Sequence, residues 1–315
     1  MARAAVGKMS WEKYALRPVQ DASPVTLPVF IYGTAWKKDQ TADLVHQALQ
    51  AGFRAVDTAA QPKHYREDLV GEGIRRAIHD GTVRREDLHL QTKFTSVQGQ
   101  SPDNMPYDPT ASVADQVHAS INSSFKHLRP SDDPESAKDA YIDMLILHSP
   151  LLTMAKTIEA WRAFETYVPH RIRNLGISNC TLPVLKELFS QVTVKPAVVQ
   201  NRFYEGTQFD VPLRGFCRDN DIIYESFWTL TANPELVRSD SVQSLAGHAG
   251  ISPAAALYSL VLGLKQTTIL NGTTNSDRMA ADLASIKKVE RLAKEQPDWW
   301  EKILASFQEL IGDRI

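Results

Sequence analysis

The sequence predicts one (β/α)8 barrel, a TIM barrel with long loops at its C-terminal face and an extra C-terminal helix, occupying residues 1–315 as a single domain. Three observations carry this expectation. Eight short apolar runs are each followed by a helical pattern, and strands alternating with helices imply parallel pairing. The repeats fill roughly 250 residues, the usual extent of such a barrel. No G-x-G-x-x-G fingerprint opens the first helix, which argues against a doubly wound nucleotide-binding domain.

The elements follow in order. "PVFIYGT" (28–34) precedes "TADLVHQALQAG", where Leu44, Val45, Ala48 and Leu49 recur at helical spacing and Gly52 supplies the stop. "FRAVDT" leads to "EDLVGEGIRRAIHDG", "LHLQTKF" to "SVADQVHASINSSFKHL", and "YIDMLILHS" to "TIEAWRAFETY". "NLGISN" and "PAVVQNRF" precede helices with Pro183 and Pro212 near their starts, where a missing N–H costs little. "DIIYESF" comes before two helical stretches, and "TTILNGT" before "SDRMAADLASIKKVERLA". The polar segment 95–110 is a long loop after the third strand and a candidate lid, whereas 129–140 reads as a connector. Beyond the barrel, Trp299, Trp300, Ile303, Leu304, Phe307 and Leu310 form one stripe of a helix docked on it.

Composition narrows the function. Hydrophobic residues make up 43% of the chain and charged residues 23%, with 35 basic and 37 acidic side chains interspersed for a net charge of −2. Nothing here attracts nucleic acid or an anionic membrane. Cys180 and Cys217 are too few for a disulfide framework and are read as free thiols, and residues 1–17 lack the unbroken apolar segment expected of a secretory signal. No apolar stretch approaches the ~20 residues needed to span a bilayer. A cytoplasmic monomer acting on a small molecule is expected.

In a barrel, polar residues at strand C-termini converge on one cavity. Here they are Asp57, Lys93, His148, Ser178, Asn179 and Gln200. Each follows an apolar run and so needs a partner. Asp57 and Lys93 come from adjacent strands and can pair. Tyr65 joins them if its loop folds over the mouth. An ammonium beside a phenol lowers its pKa toward operating pH and makes a usable general acid. Lys93 would supply that field, Asp57 would hold Lys93, and His148 would orient a carbonyl oxygen, a set suited to reduction of C=O by a hydride donor.

With "YGTAWK", "VDTA", "HYRED", "QTKF", "YIDMLILHSP", "IRNLGISN", "PAVVQ" and "GTTNSDRMAADL" in order along most of the chain, the sequence resembles the aldo-keto reductase superfamily, and "QPKHY" looks most like fungal members. The resemblance implies NADPH bound across the C-terminal face and a catalytic tetrad of Asp57, Tyr65, Lys93 and His148. It implies cofactor contacts from Gly33, Thr34, Ser178, Asn179, Gln200, Gly272, Thr273, Arg278 and Asp282, and a substrate pocket walled by Trp36, His64, Ser149 and Trp228.

The departures are local. Tyr65 lies eight residues after Asp57, where the family usually has five, so His64 competes for the acid position; Tyr65 is preferred because a phenol, unlike an imidazole, needs the Lys93 field. The basic segment that grips the 2′-phosphate in many members is "NGTT" here, leaving Arg278 and the backbone N–H groups near Gly272 and Thr273. Glu225 aligns with the ring that stacks on nicotinamide, and Phe227, or else Trp228, is the available replacement. Ser149 stands where a Trp is common, so the pocket gains room unless another ring, such as Trp228, refills it. Rival readings are a metal-dependent hydrolase using Asp57, His64 and His148, a cofactor-binding regulatory subunit as among potassium-channel β-subunits, and a non-redox natural-product enzyme on the same fold.

Overall fold

The computed structural model describes residues 10–20 and 24–313; residues 1–9, the start of the segment read as lacking a signal, lie outside them. Eight parallel strands close into a barrel. In chain order these are β3 (Phe30–Gly33), β4 (Ala55–Asp57), β5 (His89–Phe94), β6 (Ile142–Leu147), β7 (Ile172–Ser178), β8 (Val198–Arg202), β9 (Ile223–Phe227) and β10 (Thr267–Asn271), with β10 returning to β3. Six helices join successive strands, α1 (Thr41–Ala51), α2 (Glu67–His79), α3 (Val113–His127), α4 (Met154–Glu165), α5 (Leu182–Gln191) and α6 (Val211–Asp219), and α10 (Ser276–Glu295) follows the last strand. Gly52 ends α1 in the left-handed region at φ 114°, as its sequence position predicts.

Four details differ from expectation. The first is an antiparallel hairpin, β1 (Lys13–Ala15) and β2 (Thr26–Pro28), ahead of the barrel; its strands are too short to show a period. The second is that β9 is followed by three helices, α7 (Pro234–Arg238), α8 (Asp240–Ala249) and α9 (Pro253–Leu262), not two. Third, α11 (Pro297–Leu310) does dock, burying Trp300 and Phe307, but Leu310 is exposed because the stripe runs past the edge of the surface beneath it. Last, the segment expected as a lid is hydrogen-bonded to the loop before α2: Gln100 donates to the Ala60 carbonyl at 2.8 Å, and within the segment Tyr107 donates to the Thr95 carbonyl at 2.5 Å. Among the described residues no single helix is long and apolar enough to cross a membrane.

Two glycines set how close α2 lies to its neighbours. A Cβ on Gly71 would sit 1.9 Å from the His127 carbonyl oxygen, and one on Gly73 2.5 Å from that of Ala42; only glycine permits these approaches. They seat α2 between α1 and α3 and so place the loop before it over the barrel mouth.

Candidate active site

That loop is fixed at both ends. Glu67, the first residue of α2, is buried and accepts hydrogen bonds from Thr92 Oγ1 and Ser124 Oγ. Upstream, the Gln61 carbonyl accepts from the N–H groups of His64 and Tyr65, both at 3.0 Å, and the Gln61 side chain donates to the Gly99 carbonyl at 2.6 Å. Between these anchors the two competing residues part. The His64 ring packs at a tilt of 38° against Trp36, centroids 3.8 Å apart, at the outer edge. The Tyr65 ring stands over Lys93, whose Nζ is 5.1 Å from the ring centroid, and edge-on to His148 at 6.1 Å.

Beneath Tyr65, Lys93 Nζ donates to both oxygens of Asp57 at 2.7 Å and to the Thr58 carbonyl at 2.9 Å. Burial works against this ammonium, but Asp57, with Tyr65 and Glu225 beyond it, outweighs burial and holds its pKa above the ordinary lysine value. The Tyr65 residue keeps some exposure, while its hydroxyl is enclosed. Burial pushes its pKa up, Lys93 pulls it down, and Asp57 pushes it up again, leaving it raised. This corrects the expectation that Lys93 brings the phenol down toward operating pH: the ammonium does lower it, but burial of the ring, with Asp57 behind it, outweighs that pull. Tyr65 therefore keeps its proton through neutral pH.

His148 is also neutral. Burial, then the charges of Lys93 and His64, hold its pKa down at about 3. Thr95 Oγ1 lies 2.6 Å from His148 Nδ1; with the hydroxyl donating, the ring proton is on Nε2. Beside it, Thr95, Gln98, Ser149, Leu151 and Leu152 line a cavity of about 300 Å³. Among the described residues no aromatic ring lines it, so the space beside Ser149 stays open. Trp228 does not refill it: that ring is half exposed and lies under the Arg202 guanidinium at 4.2 Å.

Across the barrel, strand register brings together residues far apart in sequence. Asp57 pairs with Gln91 across β4 and β5, and Gln200 with Glu225 across β8 and β9. The Gln91 amide donates to Asp57 Oδ1 at 2.8 Å and to Glu225 Oε2 at 2.9 Å. The Gln200 amide donates to the same two oxygens at 3.1 and 2.8 Å. Glu225 thus points into the barrel and not at a ligand ring. Burial first, then Asp57, pushes its pKa up, and the amides and Lys93 oppose this, leaving it at about 7. Phe227, two residues on and so on the same strand face, reaches the mouth half-buried.

The acceptor groups left at the mouth fit a nicotinamide cofactor. With both Gln200 hydrogens committed, its Oε1 is the end left for a ligand. Asn179 Nδ2 donates to the His148 carbonyl at 2.9 Å and to Ser178 Oγ at 3.1 Å, which likewise leaves Oδ1. Two acceptors at neighbouring strand ends suit a carboxamide N–H2. Trp36, Asn179 and Trp228 all lie at φ between 53° and 65° at these ends, a backbone state that non-glycine residues rarely adopt and that clusters at functional sites.

The outer edge is looser. Gly33 and Thr34 close β3, with Thr34 Oγ1 donating to the Asp57 carbonyl at 2.8 Å. The Thr273 N–H, expected to meet an anion, already donates to Asn271 Oδ1 at 2.9 Å. Asp282 accepts from Asn271 Nδ2 at 2.9 Å. Arg278 is exposed and makes no ion pair among the described residues. Sequence reasoning missed Lys37, which is buried with its ammonium on the Gly272 carbonyl and, among the described residues, no carboxylate partner. It also missed Gln91 and Thr95, whose roles depend on register and contact, not on residue pattern.

Residues 30–305 match the profile described as the aldo/keto reductase family. Among curated relatives, the chain is 27% identical to the NAD(P)H-dependent D-xylose reductase of Scheffersomyces stipitis, over 88% of this chain and 95% of that protein. It is 26% identical to the NAD(P)H-dependent 6′-deoxychalcone synthase of Glycine max, over 72% of each. In fold it is similar to a Bombyx mori aldo-keto reductase in complex with NADP, at TM-score 0.69 and 21% identity over 90% of this chain and 92% of that one. A Brucella melitensis aldo/keto reductase gives TM-score 0.66 and 23% identity over 86% and 91%.

Proposed function

The chain belongs to the aldo/keto reductase family, and on that premise we propose that it is an NADPH-dependent reductase converting an aldehyde or ketone to an alcohol. The observation that carries the reading is the order of Tyr65, Lys93 and Asp57: a protonated phenol over a buried ammonium that a carboxylate holds at 2.7 Å. The NAD(P)H-dependent relatives support it.

When bound, reduced nicotinamide would supply the hydride that the carbonyl carbon accepts. Tyr65 gives its proton to the carbonyl oxygen as negative charge develops there. Lys93 stabilises the phenolate that remains, and Asp57 keeps Lys93 charged and in place. The Nε2–H of neutral His148 donates to the same oxygen and orients it. Asn179 and Gln200 would accept from the carboxamide with Ser178 beside them, and Phe227 would face the nicotinamide. Arg278, with Lys37 at the Gly272 carbonyl, would supply positive charge for the 2′-phosphate, helped by the start of α10. Substrate lies by Ser149, with Trp36, His64 and Trp228 around the entrance.

A panel of aldehydes and ketones, followed by loss of reduced-nicotinamide absorbance with NADPH and NADH in parallel, tests this. NADPH-dependent turnover of at least one carbonyl class is expected; tight NADPH binding with no turnover on any carbonyl would overturn the reading.

A further inference from the structure

Glu225 is a second carboxylate sealed into the barrel, and the hydride-transfer scheme does not use it. It is fully buried. Its Oε2 and Asp57 Oδ1 face each other across two amide nitrogens, each of which donates to both oxygens. The four groups close a ring of hydrogen bonds, and Lys93 is attached to it at Asp57. An amide meeting two carboxylates must turn its N–H2 toward them. The ring therefore fixes the orientation of Gln200, and with it the end shown to the cofactor. The other Glu225 oxygen, Oε1, is buried with no partner, as is Gln91 Oε1. Two carboxylates against one ammonium leave the enclosed set one negative charge in excess whenever Glu225 is ionised.

We propose that Glu225 is a positioning residue of the reduction site: opposite Asp57 it clamps Gln91 and Gln200, and its charge state sets how much of the Lys93 field reaches Tyr65. The inference rests on the carbonyl-reductase reading. The charged and titratable groups facing Glu225 are Asp57 from β4 and Lys93 from β5, with Tyr65 beyond Lys93. When Glu225 ionises, its negative charge opposes the negative charge that reduction develops on the carbonyl oxygen and Tyr65. Reduction is then slower. Loss of the Glu225 proton to solvent is the only chemical change involved.

The experiment follows NADPH-dependent reduction from about pH 5 to 9 in wild type, Glu225→Gln and Glu225→Asp, beside the infrared C=O band of a protonated carboxyl and NADPH affinity read by fluorescence. In wild type the rate should fall roughly fivefold or more across a step near pH 7, and the carboxyl band should fade over the same range. Glu225→Gln should lose both step and band, while Glu225→Asp, which keeps a carboxyl there, should retain a step. A step and band unchanged in Glu225→Gln overturn the proposal while the reductase reading stands. If wild type reduces no carbonyl, that reading fails, and the band with its matching step in NADPH affinity still tests Glu225. If Glu225→Gln does not fold, a wild-type carboxyl band that does not titrate in this range overturns the proposal.

Discussion

At the floor of the barrel mouth, Asp57, Gln91, Lys93, Gln200 and Glu225 are each at most 3% exposed, and each makes at least two hydrogen bonds within the set. At the rim, Trp36 is 59% and Trp228 50% exposed, each held by a neighbouring ring or guanidinium, and Arg278 stands in solvent. The floor is over-determined: moving one group strands another in a medium that cannot solvate it. The rim is underdetermined, so its residues can change without unfolding the barrel. On the proposed reading, chemistry belongs to the first region and choice of ligand to the second.

The contrast can be broken first at Lys93. Lys93→Met leaves Asp57 buried with no cation beside a second carboxylate. Loss of one partner from a buried pair should cost about 3–5 kcal/mol, visible as a lowered melting temperature together with collapse of turnover. Adding Asp57→Asn should restore much of the stability and none of the activity. A single variant as stable as wild type would mean that the floor is not coupled as described.

The next effect is on pH-dependent stability at Glu225. Its carboxyl binds a proton more tightly folded, at about 7, than at the ordinary value of 4.5. The folded state is thus favoured below pH 4.5, and that contribution is lost as pH rises through 7. The interval corresponds to ~3 kcal/mol for a group this buried. Denaturant midpoints at acid and alkaline pH should differ less in Glu225→Gln than in wild type by about that amount; equal pH dependence in the two proteins would count against it.

The rim should respond least. Arg278→Ala should weaken NADPH binding by about 1 kcal/mol, roughly fivefold, because an exposed charge pair is screened by solvent. NADH binding should hardly move, and an equal loss for both cofactors in a direct titration would remove Arg278 from the 2′-phosphate.

Much of this was legible in the residues. Asp57, Lys93 and His148 end apolar runs, and barrel closure alone brings such positions together. The hydrogen-bonded ring was not legible. Gln91 and Glu225 are 134 residues apart, and only the register of β4 with β5 and of β8 with β9 sets them at one level. Alignment put Glu225 at a cofactor-stacking position, whereas strand alternation turns it inward. The Tyr65 pKa was misjudged for a related reason: sequence shows that Lys93 can reach the phenol, but not how deeply the folded loop buries it, and burial outweighs the ammonium. The open space beside Ser149 depended on where Trp228 turns, which a left-handed backbone at φ 55° decides.

The central claim is that Tyr65, held over Lys93, gives the proton, while His64 on Trp36 does not. Single-turnover reduction with bound NADPH, measured in Tyr65→Phe and His64→Ala beside wild type, tests it most directly. A general acid contributes about 10²- to 10⁴-fold, so Tyr65→Phe should lose that much rate with NADPH affinity nearly unchanged, and His64→Ala should mainly raise KM. Near-normal turnover in Tyr65→Phe, or the larger loss in His64→Ala, would contradict it.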